Sequence, residues 1–453
     1  MSHSLRLFII ALCSLLSAAG HAQITLEGNI ANLPANAQRN LEFEAMDFDS
    51  WKMVASLPVD AEGHFIGVFP KLTLGQYRLR VKGQAKVWGD MILQHPTGQV
   101  RKVALHLDFN QLNGGPISVD DSEESQAYLL LMNASMELDK AREANKENFQ
   151  ARCLVEDTFN VVCETVKKKY PNTYTARVVC GLMYCPRSKA GAVDEAAEKR
   201  YVQTNGLKSV PFREERVEGH YGLIRVLNKY VRAFDFEKDS VENLIDKTMV
   251  ASLINDSVAP QVFHFLLEKM MDYKSERGLS YLLTWYSFDC ADDIGADGQT
   301  KILLEALSNC APGKKAIELK LPDLQGKMIS LQEVCAKNKL TLVMFWRSNC
   351  THCEEFEPVL SGLYDKYKPL GVEVYAINAD KLEADWKAKS AKRSSKWINT
   401  FLAYDQRKRV NRNFPVPSTP MLIALDKNGV IVSRLIMRSK LQQFLDTELA
   451  GRK

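Results

Sequence analysis

Apolar and polar residues alternate in short runs over the first part of the chain. The stretches 24–30, 41–44, 77–81 and 102–107 all read this way, and Glu62-Gly63 and Leu74-Gly75 punctuate them. Period-two alternation broken by turn residues predicts strands with one buried face, and their number predicts a β-sandwich-like or barrel domain over residues 23–120. The period changes near Ser122. Tyr128, Leu129, Leu131 and Met132 open a stretch rich in Glu, Lys and Ala; Phe159, Val162, Cys163 and Val166 recur at helical spacing, as do Val262, Phe263, Leu266, Leu267 and Met270. These stripes predict a middle α-helical region, 121–312, broken at Pro171, Pro186, Pro211 and Pro260.

Residues 311–315, Ala-Pro-Gly-Lys-Lys, read as a linker, and a third pattern occupies 313–453. Residues 317–321 and 329–331 predict two strands around a Pro-Asp-Leu-Gln-Gly-Lys turn. Leu340–Trp346 is apolar almost throughout, which suits a strand buried on both faces. A helix should follow through Tyr367, then a second buried strand at 372–377. Residues 421–425 and 430–432 flank Asp426-Lys427-Asn428-Gly429, a hairpin signal. Strand, helix, strand, helix, hairpin and helix is the order of a thioredoxin core. The fold class expected is therefore multidomain, with a C-terminal α/β thioredoxin-like fold.

The 453 residues carry 59 Lys and Arg against 55 Asp and Glu, a net charge of +4 that gives no argument for nucleic acid as a partner. Residues 1–22 do not belong to the fold: Arg6, an apolar run at 7–16 and small residues at Gly20 and Ala22 read as a secretory signal peptide. The run is short of the ~20 residues that span a bilayer. Cys13 follows Leu12, where a lipoprotein signal needs a small residue. Export to the periplasm or cell envelope would let disulfides persist. Ten cysteines less Cys13 leave nine, an odd number, so at least one thiol is free, intermolecular or cycling. Cys290 and Cys310 could close a loop worth about 3 kcal/mol; Cys153, Cys163, Cys180, Cys185 and Cys335 read as buried small hydrophobes. The basic residues Lys387, Lys389, Lys392, Arg393 and Lys396 could dock an anionic partner, with a solvated helix face the simpler reading.

Chemistry concentrates at Cys350-Thr351-His352-Cys353, between the buried strand and the helix after it. A thiolate begins thiol–disulfide exchange. The first turn of a helix presents unpaired N–H groups and a positive dipole end, which lower a cysteine pKa. Cys350 is the expected nucleophile and Cys353, one turn on, the resolving thiol. A protonated His352 would add charge beside Cys350, and Pro358 would remove a helix hydrogen bond and kink the helix. The same motif also fits half a zinc site or a static disulfide. Zinc needs two further ligands, and Cys180-x4-Cys185 on an apparent helix is not a usual spacing for them.

Residues 345–353, Phe-Trp-Arg-Ser-Asn-Cys-Thr-His-Cys, resemble the active-site segment of the TlpA-like thioredoxins, the exported branch that includes the ResA type. Residues 314–331 resemble that family's opening hairpin, Glu357-Pro358 and 363–367 its following helix, Trp386 and Trp397 its tryptophans, and 416–420 its cis-proline loop. The resemblance implies that Pro420 is cis and faces the cysteines, and that Thr419 offers backbone groups to an extended substrate. With Trp346 and Pro358 it completes the expected site. It further implies protein thiol or disulfide substrates, a membrane or thioredoxin-type electron donor, and no cofactor beyond the Cys350/Cys353 pair. Three positions depart from the pattern: Asn349 replaces the usual Trp, Met344 stands where an Asp accepts a proton, and Phe356 where the ResA branch has Glu. Glu354, Glu355 and Glu357 lie nearby; Glu357 is a candidate acceptor, with a solvated surface Glu the simpler reading. These departures leave a second expectation open, a redox-inactive envelope scaffold that binds partners through its N-terminal and middle domains. An exposed Cys350 would distinguish the enzyme from it.

Overall fold

The computed structural model describes residues 23–93, 101–120, 122–186, 194–236, 240–286, 297–391, 396–416 and 418–451. The expected signal peptide, Cys13, Cys290, Lys392 and Arg393 lie outside these residues, so the Cys290–Cys310 pairing does too.

The described residues fall into two compact units. One runs to position 239 and includes Val250–Val258; the other comprises Ser240–Met249 and everything from Ala259 onward. This differs from the expected break at 312/313. The helices of the middle stretch are shared between the units instead of forming a unit of their own.

In the first unit, β1 (Ile24–Ala31) pairs antiparallel with β4 (His64–Phe69) and parallel with β7 (Arg101–Asp108). A second, antiparallel sheet has the order β3 (Ser50–Pro58), β2 (Asn40–Asp47), β5 (Gly75–Val81), β6 (Trp88–Leu93). Leu26 and Leu105 of the first sheet and Phe43, Tyr77 and Leu79 of the second belong to one apolar cluster. Helices α1 (Glu123–Ala144) and α2 (Phe149–Lys169) follow, each opened by a side chain that accepts from a first-turn N–H, Ser122 and Asn148 respectively. Tyr128, Leu131, Phe159, Cys163 and Val166 are buried at the helical spacing expected.

The second unit contains α3 (Ala259–Asp272), α4 (Glu276–Trp285) and α5 (Gly298–Asn309). Pro260 is the second residue of α3, where its missing N–H costs the helix nothing. The predicted hairpin is shorter than expected: β8 (Lys320–Pro322) pairs with β9 (Met328–Ser330). Leu331 instead begins α6 (Leu331–Ala336), because Ser330 caps it by accepting from the Glu333 N–H.

The main sheet is built on β10 (Leu340–Trp346), buried at every position. It pairs parallel with β11 (Val372–Asn378) and antiparallel with β13 (Met421–Asp426); β12 (Ile398–Phe401) and β14 (Ile431–Ser433) form the edges. Leu340, Leu342, Met344 and Trp346 pack with Phe356, Leu360 and Tyr364 of α7 (Thr351–Tyr367). Phe345 points to the other face, its ring centroid 5.6 Å from that of Phe414. The chain also forms α8 (Glu383–Ala391), α9 (Tyr404–Asn411) and α10 (Leu441–Ala450). Strand β12 and helix α9 add to the expected order. At the β13–β14 turn, the Asn428 and Val430 N–H groups donate to the Asp426 carboxylate, both at 2.8 Å, and Gly429 takes φ +74°.

The expected linker is not a free tether. Gly313 N–H donates to Ile431, Ile431 N–H to Lys314, and Ala316 N–H to Gly429, so the segment pairs along the β14 edge. A second tie joins the helices to the sheet. Arg434, 2% exposed, donates Nη2 to Glu276 Oε1 at 2.7 Å and Nε to Oε2 at 3.1 Å, and a further N–H to the Leu307 carbonyl. This guanidinium, 158 positions from its carboxylate partner, ties α4 and α5 to the C-terminal sheet. Glu276→Ala should lower unfolding stability in urea by about 2 kcal/mol, below the roughly 3–5 kcal/mol of a wholly buried pair because Glu276 is partly exposed. An unchanged midpoint would mean that Arg434 is satisfied without it.

Candidate functional site

The site sits where β10 ends and α7 begins. Strand β10 stops at Trp346, and a short loop carries Arg347, Ser348 and Asn349 out of the sheet. Asp380, just beyond the end of β11, accepts from the Ser348 N–H at 2.9 Å and from Asn378 Nδ2 at 3.1 Å. This buried carboxylate fixes the loop. No spacing rule marks Asp380 in the sequence, since its partners become neighbours only through the parallel register of β10 and β11.

Cys350 is the N-cap of α7, in extended conformation, and its sulfur accepts from the Cys353 N–H at 3.2 Å. Its thiol also donates to the Thr419 carbonyl at 3.2 Å. Burial alone would push this thiol up. Hydrogen bonding from the side chains of Cys353 and Thr419, and from the backbone N–H groups of Cys353 and His352, outweighs it and holds the thiol below its ordinary value. Cys353 behaves oppositely. It is 5% exposed, and burial together with the hydrogen bond it shares with Cys350 pushes it up to about 12. Two thiols one helical turn apart thus differ in their readiness to ionise. Both are free, and Cys350 is half-buried where Cys353 is buried.

The Thr419–Pro420 peptide is cis. Together with Cys350, Cys353 and Thr419, Pro420 forms one cluster of the residues singled out in the sequence. His352 is exposed, and its Nδ1 lies 3.2 Å from Glu355 Oε2; what it offers Cys350 is its backbone N–H, not its ring. Trp346 is buried beneath the cysteines, and Pro358 lies inside α7, which continues past it to Tyr367. Trp386 belongs to the core, stacked on Phe401, with its Nε1 donating to Asn399. Of the three glutamates, Glu354 bonds Lys389, Glu355 faces His352, and Glu357 lines a cavity of about 20 Å³ with Cys353, Met344, Trp346, Phe356 and Trp397. That volume accommodates about one water. The basic stretch is paired: Lys387 with Glu383, Lys389 with Glu354, Lys396 with Asp365.

A groove of about 710 Å³ runs past the site. Its walls include Pro420, Thr419, His352, Met437 and Arg438, and, from the turn between α3 and α4, Tyr273 and Lys274. Arg438 Nη1 donates to the His352 carbonyl at 3.1 Å. These last three residues carried no signal in the sequence. Among the described residues, the groups of three side chains within ligating reach of one another are confined to the exposed Asp60, Glu62 and His64, and neither cysteine of the motif is in such a group. No described helix is long and apolar enough to cross a membrane.

Residues 312–434 match the AhpC/TSA family. Over 129 residues the chain is 32% identical to the thiol-disulfide oxidoreductase ResA of Bacillus anthracis, covering 27% of this chain and 69% of that protein. Over 141 residues it is 27% identical to the ResA of Geobacillus thermodenitrificans, covering 30% and 78%. It is also similar to the solved thioredoxin domain of a thiol-disulfide oxidoreductase from Bacteroides vulgatus, with 29% identity, 31% of this chain and 98% of that chain covered, and a TM-score of 0.29. An ionisable cap thiol, a buried thiol one turn on and the likeness to ResA agree: through its C-terminal third the chain belongs to the ResA thiol–disulfide oxidoreductases and is an oxidoreductase.

Proposed function

We propose that the protein is an exported enzyme that exchanges disulfides with protein substrates through Cys350 and Cys353. The observation that carries this is the half-buried Cys350 thiol at the start of α7, held below its ordinary pKa by the hydrogen bonds of its neighbours and of the first-turn N–H groups. A redox-quiet scaffold has no need of an accessible, easily ionised thiol, so this feature favours the enzyme over the scaffold reading.

The Cys350 thiolate attacks one sulfur of a substrate disulfide. That S–S bond breaks, the other substrate sulfur leaves as a thiolate, and a mixed disulfide to Cys350 forms. Cys353 then loses its proton and attacks the Cys350 sulfur. The Cys350–Cys353 bond forms as the second substrate thiolate departs, and the substrate is reduced by two electrons. The steps run in reverse when the disulfide form meets a dithiol. Thr419 and Pro420 bind the substrate backbone, Trp346 underlies the pair, and Pro358 and His352 shape the first turns of α7. The dithiol is the redox group, so no dissociable cofactor is required. Regeneration calls for a dithiol donor, either a membrane protein or a thioredoxin-type partner. The signal-like residues 1–22 and the likeness to ResA support work in the periplasm or cell envelope. The N-terminal sheets, with their shared core, support a β-sandwich-like domain.

Because Cys353 is hard to ionise, its proton needs an acceptor. With Met344 and Phe356 apolar, Glu357 is the carboxylate lining the cavity beside Cys353, and it takes the proton through a water there.

Three outcomes follow. In the Cys353→Ser variant a mixed disulfide to Cys350 should accumulate with substrate proteins, and Cys350→Ser should trap none; trapping by neither variant contradicts the exchange reading. Iodoacetamide should alkylate Cys350 of the dithiol with an inflection below the ordinary 9.0, with Cys353 unreactive until far higher pH. Two thiols titrating together near 9.0 would oppose the assignment of roles. Glu357→Gln should slow resolution of the mixed disulfide by about tenfold or more and leave its formation unchanged, as stopped-flow kinetics would show; an unaltered resolution rate removes Glu357 from the mechanism.

A further inference from the structure

The groove beside Thr419 and Pro420 is not built by the thioredoxin-like domain alone. Its far wall is the turn between α3 and α4, which belongs to the middle helices and to the same compact unit as the site. That turn closes α3 in a regular way: Ser275 N–H returns to the Met270 carbonyl at 2.8 Å and Lys274 N–H to the Met271 carbonyl at 3.1 Å. Such a helix end places its left-handed residue at the position Lys274 occupies, and glycine is the ordinary choice there. Lys274 has φ +54°, a conformation L side chains rarely adopt. A strained lysine beside a reactive centre is worth a functional explanation.

The charges point the same way. Six charged or titratable side chains line the groove: Asp272, Tyr273, Lys274, His352, Glu355 and Arg438. Both acids have ion-pair partners within 4 Å elsewhere, Asp272 with Lys269 at 3.6 Å and Glu355 with His352 at 3.2 Å, although Asp272 also attracts Lys274 at longer range. Among the described residues, Lys274 and Arg438 have no carboxylate in salt-bridge contact. Burial and the nearby charge of Arg438 hold the Lys274 ammonium below its usual range, against the pull of Asp272. The groove thus concentrates two mutually repelling cations a short way from Pro420. An added anion there would relieve the repulsion and gain a half-buried ion pair.

We infer that Lys274 and Arg438 form a specificity subsite of the exchange site, which receives an acidic side chain of a substrate polypeptide next to its reacting cysteine. Glu276, which opens the next helix, is clamped by Arg434 and so fixes this wall relative to the sheet. The inference rests on the exchange reading above and adds the substrate class: segments with Asp or Glu beside the cysteine.

Two peptides with one cysteine as a thiopyridyl mixed disulfide, flanked by Glu in one and Lys in the other, test it. The reduced full-length mature protein is mixed with each, and thiopyridone release gives the second-order rate constant. The wild type should react about tenfold faster with the Glu peptide. Lys274→Gly, which suits the left-handed backbone and so should unfold no earlier than wild type, should lose most of that preference; Lys274→Glu should reverse it and Lys274→Arg keep it. Equal rates with both peptides in the wild type, or a preference that survives Lys274→Gly and Lys274→Glu, overturn the subsite while leaving exchange intact. If neither peptide reacts faster with wild type than with Cys350→Ser, the exchange reading itself fails, and the subsite with it.

Discussion

A sulfur atom caps a helix in this protein, and the chemistry depends on that arrangement. The first N–H groups of any helix lack internal partners. In α7 one of them, that of Cys353, is shared between the Cys350 carbonyl and Cys350 Sγ, the sulfur standing where a Ser or Asp oxygen would ordinarily serve. The cap is a stronger acceptor as a thiolate, so satisfying the helix and ionising the thiol become the same event. Everything around it serves to hold that geometry. Strand β10, buried on both faces, ends at a fixed height in the sheet; Asp380 anchors Ser348; and the Thr419 carbonyl meets the sulfur from the other side. The same burial that leaves Cys350 at the rim puts Cys353 beneath it, so one helical turn separates an easily ionised thiol from a resistant one.

What was legible in the sequence was what local pattern controls. Strand β10 was readable because a seven-residue apolar run bounded by a CxxC has few other interpretations. Helix α7 and the β13–β14 hairpin carried their own start, stop and turn signals. Features set by long-range pairing were not readable. Strand β12 is four residues, Ile-Asn-Thr-Phe, with no alternation to mark it, and it forms because β11 offers a free edge. The Ala-Pro-Gly-Lys-Lys segment looks like a tether by composition, yet its backbone groups find partners on β14. The division of the middle helices rests on the clamp between Arg434 and Glu276, 158 positions apart, and single charged residues give no warning of such a pair. Within the site the cysteines, Thr419 and Pro420 were legible through motif resemblance. Asp380, Tyr273, Lys274 and Arg438 were not, since each acquires its role only from the fold.

The departures from the family pattern fit one another. Met344 and Phe356 remove the polar groups expected near Cys353, and the residues that remain leave a small cavity with Glu357 on its wall. One position along the helix from Phe356, Glu357 keeps a carboxylate on the wall of the cavity that Cys353 also lines. The helices added ahead of the domain contribute to the other side of the site, where Asp272, Tyr273 and Lys274 form one wall of a groove.

The central claim is that Cys350 and Cys353 form a reversible two-electron couple. A glutathione redox titration of the mature protein, with mass-resolved trapping of both thiols, tests it most directly. The account predicts that the two residues convert together between dithiol and disulfide, at a single midpoint within the range of thioredoxin-like proteins. A pair that stays in one state across the whole titration, or cysteines that oxidise independently of each other, would contradict it.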